Sequence, residues 1–273
     1  MTASRPCFGT SWGDRTGFVE SLRQAEVVTV LTIRYLLGTR RAITTALLGA
    51  VPLILTGSLA IARVATFDIL LFQVLMVPLF LQVVLIFVTL VSATTLIRDE
   101  IDDNTLPYLL TRPISKPAIA IYKYLGYLVA VLVLLLPSLV LAYAVTVGYS
   151  GDTFTSDWDV LSGFLLATVL GSAAYGALFL FLSVLVRKPL AVGLLIGFVW
   201  ESIVGSIPGD VPKLSVIHYL RSILKDTIVV GPLAGYRTDL STSAAVLVLV
   251  VFSAAMVILS IVVFQQMEFK EKA

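Results

Sequence analysis

The sequence predicts an all-α, polytopic membrane protein with six transmembrane helices, and three observations lead to that class. Apolar residues make up 58% of the 273 residues and charged residues only 13%, with a mean hydropathy of +1.00. A soluble domain carries about 25% charged residues, so this composition suits lipid rather than water. Six runs meet the requirement of about 20 apolar residues for crossing a bilayer. They are Ala42–Ala62, Ile69–Ile97, Ile121–Val147, Val160–Val186, Leu190–Ile207 and Ala244–Gln266. The charges fall mainly between these runs, which divides the chain into residues 1–41, a six-span domain at 42–266 and a tail at 267–273.

The N-terminal segment is basic at intervals (Arg5, Arg15, Arg23, Arg34, Arg40, Arg41). A cleavable signal peptide would carry its apolar core nearer the start, so none is assigned. Residues up to about Asp14 read as disordered. From Gly17 to Leu37 a helix is expected, with Leu22, Ala25, Thr29, Ile33 and Leu36 on one side and Glu20, Arg23, Gln24 and Arg34 opposite. That division suits an elbow helix lying in the cytoplasmic interface before the first span.

The first, second and third spans carry Pro52, Pro78 and Pro137, kinks that a membrane bundle tolerates once neighbouring groups satisfy the freed carbonyls. The second run exceeds what a bilayer needs, so its end projects into the cytosol. Orientation follows from Lys and Arg. With the N-terminus inside, the cytoplasmic segments hold Arg5 to Arg41, Arg98, Arg112, Lys116, Lys123, Arg187, Lys188, Lys270 and Lys272. The outside keeps Arg63, Lys213, Arg221, Lys225 and Arg237. The positive-inside rule therefore puts both termini in the cytoplasm of a multi-pass cell-membrane protein. The longest outer connection, Pro208 to Ser243, contains a second amphipathic helix at Leu214–Val230. His218, Arg221, Lys225 and Asp226 share one face and Ile217, Leu220, Ile223, Leu224 and Ile228 most of the other. It is expected at the outer interface, or dipping partly into the membrane, as a cover, a lid or a site for an extracytoplasmic partner.

The densest polar stretch lies between the second and third spans. Arg98, Asp99, Glu100, Asp102 and Asp103 cluster where lipid burial would cost ~2.5–3.5 kcal/mol per charge at mid-bilayer, so the stretch lies in water. Thr105 or Leu106 can cap a short helix, Pro107 suits its first turn and Pro113 ends it. Ser115 and Pro117 open the next helix. Leu106, Leu109 and Leu110 would be exposed on the short helix, available to a partner's groove.

This order of residues resembles that of type-2 ABC transporter permeases, bacterial and archaeal membrane subunits that usually serve export. The resemblance rests on Glu100, Thr105-Leu106, Leu109-Leu110, Arg112-Pro113, Ser115 and Lys123-Tyr124-Leu125-Gly126. Asn104 stands where the family usually has Gly, and Pro107 where it commonly has a polar residue. Asn is among the few residues that accept positive φ. The resemblance implies that the loop is a coupling helix docking on an ATP-hydrolysing cassette, through Asp99, Glu100, Asp102, Asp103, Asn104, Thr105, Leu106, Leu109, Leu110, Arg112, Ser115 and Lys116. It also implies two such cassette subunits and a second permease copy. No cofactor is expected in this chain, because ATP and magnesium would sit on the partner.

Other chemistry is sparse. The chain has no Gly-x-x-x-x-Gly-Lys-Ser/Thr stretch and no Gly-x-Ser-x-Gly elbow. His218 stands apart from Cys7, the sole cysteine, so neither a metal site nor an internal disulfide is expected. A net charge of +2 gives no argument for nucleic acid. Glu201, about 16 Å along a helix from Leu190, needs protein or a watery cavity around it. It would line a substrate path or a subunit seam, or lie near the outer headgroups if the helix breaks at Gly205 or Pro208. Gln73 and Gln82 are milder path candidates. Gly193 and Gly197 in the fifth span, and Gly171, Ser172 and Gly176 in the fourth, form small-residue ridges for close helix packing, expected within one subunit. Two other readings stay open: a membrane anchor that passes force from cassettes to an outer partner without transport, and an ATP-independent carrier.

Overall fold

The computed structural model describes residues 27–102, 116–225 and 240–266, except residues 37, 39, 65, 152, 156, 206, 208 and 209. Among these residues the secondary structure is helical, with no strand. Helix α1 (Val27–Leu36) is followed by α2 (Arg40–Gly49) and α3 (Val51–Ile61), which meet at a 43° bend. The cause is Pro52 in the first turn of α3, which has no N–H for the carbonyl a turn earlier and whose ring crowds it.

The second span starts at Asp68, whose carboxylate accepts from the Leu71 N–H at 2.9 Å and caps α4 (Ile69–Met76). A π-helical stretch, Val77–Val84, comes next and then α5 (Leu85–Asp102). Pro78 stands at the head of the wide turn, so the bond it cannot make is absorbed by a change to i→i−5 pairing, as in Leu85 N–H to Phe80 O. Helix α6 (Lys116–Ser150) runs through Pro137 unbroken, α7 is Trp158–Leu185 and α11, the last, is Thr242–Gln266. Between them lie α8 (Pro189–Leu194), a second π-helical stretch (Leu195–Trp200), α9 (Glu201–Val204), a 3-10 turn (Val211–Leu214) and α10 (Val216–Leu224).

Four helical segments are long and apolar enough to cross a membrane: Ile69–Leu96, Pro117–Ser150, Trp158–Leu185 and Thr242–Gln266. The bent pair Ala42–Gly49 and Val51–Ile61 makes a fifth if counted as one span. The expected span at Leu190–Ile207 is instead a helix from Pro189 to Val204, about 24 Å long, against a hydrocarbon core of about 30 Å. Several threonine hydroxyls inside the spans bond back to their own helix, as Thr89 to Leu85 O at 2.7 Å and Thr168 to Phe164 O at 2.6 Å, so these need no water.

Helix α7 is the central rod, packed against α5, α6, α10 and α11. Its small residues allow that crowding. A Cβ on Gly176 would stand 2.2 Å from Tyr127 Cε1, and one on Gly171 would stand 2.6 Å from Leu85 and 3.1 Å from Leu220. Gly193 and Gly197 meet Leu90 and Ile86 of α5 in the same way. Both small-residue ridges are thus filled within the chain. Gly171 lies near the middle of α7, so Leu220 carries α10 deep into the bundle. The expected amphipathic helix starts at Val216, because Ser215 is extended and separates it from the 3-10 turn. Its polar face is less exposed than an interfacial helix would leave it: His218 and Ser222 are buried, and Arg221 and Lys225 half-buried. Packing on α7 and α11 from two sides covers it.

Gly176→Ala is expected to cost about 1–3 kcal/mol through overpacking, because the Tyr127 ring it strikes is itself fully enclosed. Thermal unfolding in detergent should show the loss, and adding Tyr127→Leu should restore part of it.

Candidate functional site

Two polar junctions stand out in this apolar molecule. The first is built on Glu201, which is 5% exposed. The π-helical stretch Leu195–Trp200 ends at this residue, and its wide turns set the direction in which Glu201 leaves the helix. The carboxylate faces the N-terminus of α10. Ser215 Oγ donates to Glu201 Oε2, the Val216 N–H donates to Oε1 at 3.1 Å and the Ile217 N–H to Oε2 at 3.2 Å. Ser215 occupies the N-cap position, yet its hydroxyl makes no cap of its own. Glu201 takes over that role from another helix, satisfying N–H groups that have no partner inside α10 and placing a negative charge at the positive end of the helix. The turn is completed at Gly205, whose N–H donates to Glu201 O at 3.0 Å and where a Cβ would fall 2.6 Å from that carbonyl.

The second junction lies at the other end of the bundle. Lys123 of α6 is 6% exposed, and its ammonium donates to Leu96 O of α5 at 2.9 Å. One turn later on α5 come Asp99 and Glu100, and the helix continues to Asp102. Helix α1 closes over the same region of α6. Thr29 Oγ1 donates to Tyr122 O at 3.4 Å, and a Cβ on Gly126 would strike Thr32 at 2.8 Å. On the next face of α6, Tyr124 donates to Ala173 O at 2.8 Å and Tyr127 to Ser172 O at 3.0 Å, which ties α6 to α7. The Lys123-Tyr124-Leu125-Gly126 stretch therefore touches α5, α7 and α1 within one turn.

A family described as an ABC-2 family transporter protein matches residues 39–204, more than half of the chain. The chain belongs to the ABC-2 transporter family. No curated protein matches it closely enough to narrow the assignment. As an ABC-2 family member it is a multi-pass membrane subunit of an ABC transporter; such permeases carry no ATPase of their own and work with ABC ATPase subunits. The matched segment includes both junctions at their α5, α6 and α9 sides and ends just short of α10.

The site residues expected from the sequence of this permease fall in separate places. Asp99, Glu100, Asp102 and Lys116 lie on helical backbone at the facing ends of α5 and α6. Asp103, Asn104, Thr105, Leu106, Leu109, Leu110, Arg112 and Ser115 fall outside the described residues, as do the elbow helix before Val27 and the tail after Gln266. Gln73 is 4% exposed, and its Oε1 has no hydrogen-bond partner, whereas Gln82 is only partly buried. Glu201 stands apart from both, engaged with α10. The sequence pattern did not single out the bond from Lys123 to α5 or the role of Ser215. The signal for the first was a lysine inside an apolar run, which must find a partner.

Glu201→Ala is expected to cost about 3 kcal/mol, because buried donors lose their acceptor at about 1–3 kcal/mol each with partial relief from water. Glu201→Gln keeps one acceptor oxygen and should cost about half as much. The diagnostic readout is local: amide exchange at Val216 and Ile217 should quicken more than exchange in α7.

Proposed function

We propose that the chain is the permease subunit of an ATP-binding-cassette exporter, coupling ATP hydrolysis on separate cytoplasmic subunits to substrate movement. Two copies of the chain, each with six spans, would pair with two cassettes. The Asp99–Lys116 loop would dock in a groove of each cassette through the acidic end of α5 and the apolar Leu106, Leu109 and Leu110. Helix α1, pressed on the first turns of α6, would flank that contact. ATP and magnesium would be held by the cassettes, and both termini would lie in the cytoplasm.

The observation that carries this reading is the pair of stiff arms on either side of the loop. The second span continues as helix through Asp102. Helix α6 starts at Lys116 and is about 52 Å long, well over a bilayer's hydrocarbon thickness. Lys123 fastens one arm to the other just beneath the acidic cluster. A push on the loop would therefore move two spans together, as coupling by two rigid arrangements requires. Among the three intramembrane polar candidates for a substrate path, Gln73 is favoured, since its carbonyl oxygen is buried without a partner.

Glu100→Lys and Leu109→Pro should each weaken cassette co-purification about tenfold, as loss of a central interface contact does, with a parallel fall in ATPase stimulation. Undiminished values for both would remove the docking role. In a background with Cys7 replaced, Asn104→Cys should react with an impermeant maleimide only after the cells are opened.

A further inference from the structure

The end of the bundle away from Lys123 carries a surface of a different kind. Three span ends come together there: the second span opens at Ile69, Pro117–Ser150 closes, and Trp158–Leu185 opens. Aromatic rings crowd that level. Phe67 packs on Tyr149 with centroids 5.5 Å apart, and Phe72 packs edge-on against Tyr143 at 6.1 Å. Phe154, between α6 and α7, stands between Tyr143 at 5.3 Å and Trp158 at 6.4 Å. The Tyr143 hydroxyl donates to Phe154 O at 3.2 Å and so fixes this connection on α6. Phe67, Phe72 and Tyr143 are buried, whereas Tyr149, Phe154 and Trp158 are 37%, 42% and 50% exposed.

Rings held half out of a buried aromatic base are costly in water. They suit a membrane's headgroup layer, where an apolar body and a polar tip are both satisfied. Charge narrows the choice of lipid. No Lys, Arg or His occurs from Tyr124 to Val186, and Asp157 and Asp159 flank Trp158, with Asp159 exposed in the first turn of α7. The cation nearest in sequence to any of these rings is Arg63, four residues before Phe67. An anionic headgroup would meet carboxylates here. An ammonium group meets rings and carboxylates, both of which attract it.

We infer that Tyr149, Phe154 and Trp158, with Asp159, form a surface that sits in the membrane's headgroup layer and prefers phospholipids whose headgroup carries an ammonium. The test uses the full chain with Trp12→Phe and Trp200→Phe, which leaves Trp158 as the sole tryptophan. It is reconstituted in nanodiscs of equal phosphatidylethanolamine and phosphatidylglycerol, with one of the two at a time brominated on the upper part of its acyl chains. Trp158 fluorescence should be quenched in both discs, with phosphatidylethanolamine enriched at the ring about twofold to fivefold, as an exposed cation–π contact gives. Asp159→Asn, which leaves every ring in place, should roughly halve that enrichment. Adding Phe154→Leu should bring the two lipids to parity while the quenching itself persists. Equal quenching by the two lipids before these changes, or an enrichment that both variants leave unaltered, overturns the preference. Quenching by aqueous acrylamide with none by either lipid overturns the membrane contact. The readout needs no cassette, so it does not depend on the proposed transport cycle.

Discussion

A helix that begins inside a membrane bundle brings with it N–H groups that neither water nor its own turns can satisfy, and each one left alone costs several kcal/mol in hydrocarbon. Helix α10 is such a helix, and Glu201 is what allows it to start where it does. The carboxylate receives two backbone N–H groups and the Ser215 hydroxyl, so the chain can turn back at Gly205 and insert. Much of the packing around α10 depends on that placement. Leu220 fills the space left by Gly171, Lys225 reaches Leu240 O at 2.5 Å before the last span, and the helix Pro189–Val204 is tied at its C-terminal end to α10 through Glu201.

The junction at Lys123 is held by the same means in a different form. Here the buried charge is a lysine and the groups it answers are carbonyls. Tyrosine hydroxyls add two more bonds to α7 carbonyls that already serve their own helix and have a second lone pair to offer. Such bonds need close approach, and a small residue provides it. Gly176 is the clearest case, since Tyr127 lies where a Cβ would be. In lipid, where apolar contact alone gives helices little reason to associate, close approach and such bonds supply much of the specificity. Helix α7 is therefore clasped near its middle by both α6, at Ser172, Ala173 and Gly176, and α10, at Gly171.

The class and most span positions were legible in the sequence because those follow from a simple count: apolar length against charge. Glu201 was legible as a residue that must have company, but its partners were not. They lie beyond Gly205, and nothing periodic links a carboxylate to backbone N–H groups in a segment fourteen residues on. What covers the polar face of α10 was not legible for a similar reason. A helix with His218, Arg221 and Lys225 on one side reads as interfacial, because amphipathic patterning reports polarity and not what covers it. The π-helical stretches were invisible too: Pro78 announced a kink, and its resolution by wider turns is a matter of neighbouring backbone. Counting residues likewise overestimated the fifth helix, which ends at Val204 because Glu201 and Gly205 close the turn there.

Glu201 and Arg221 share a neighbourhood around Tyr175 and yet form no ion pair. A buried carboxylate often joins a guanidinium, since each alone is costly. Here the carboxylate has a better offer. Two converging backbone N–H groups and a hydroxyl leave it little capacity for a guanidinium, and turning toward Arg221 would strip the start of α10. One carboxylate thus fixes where α10 starts, and with it how α10 lies against α7.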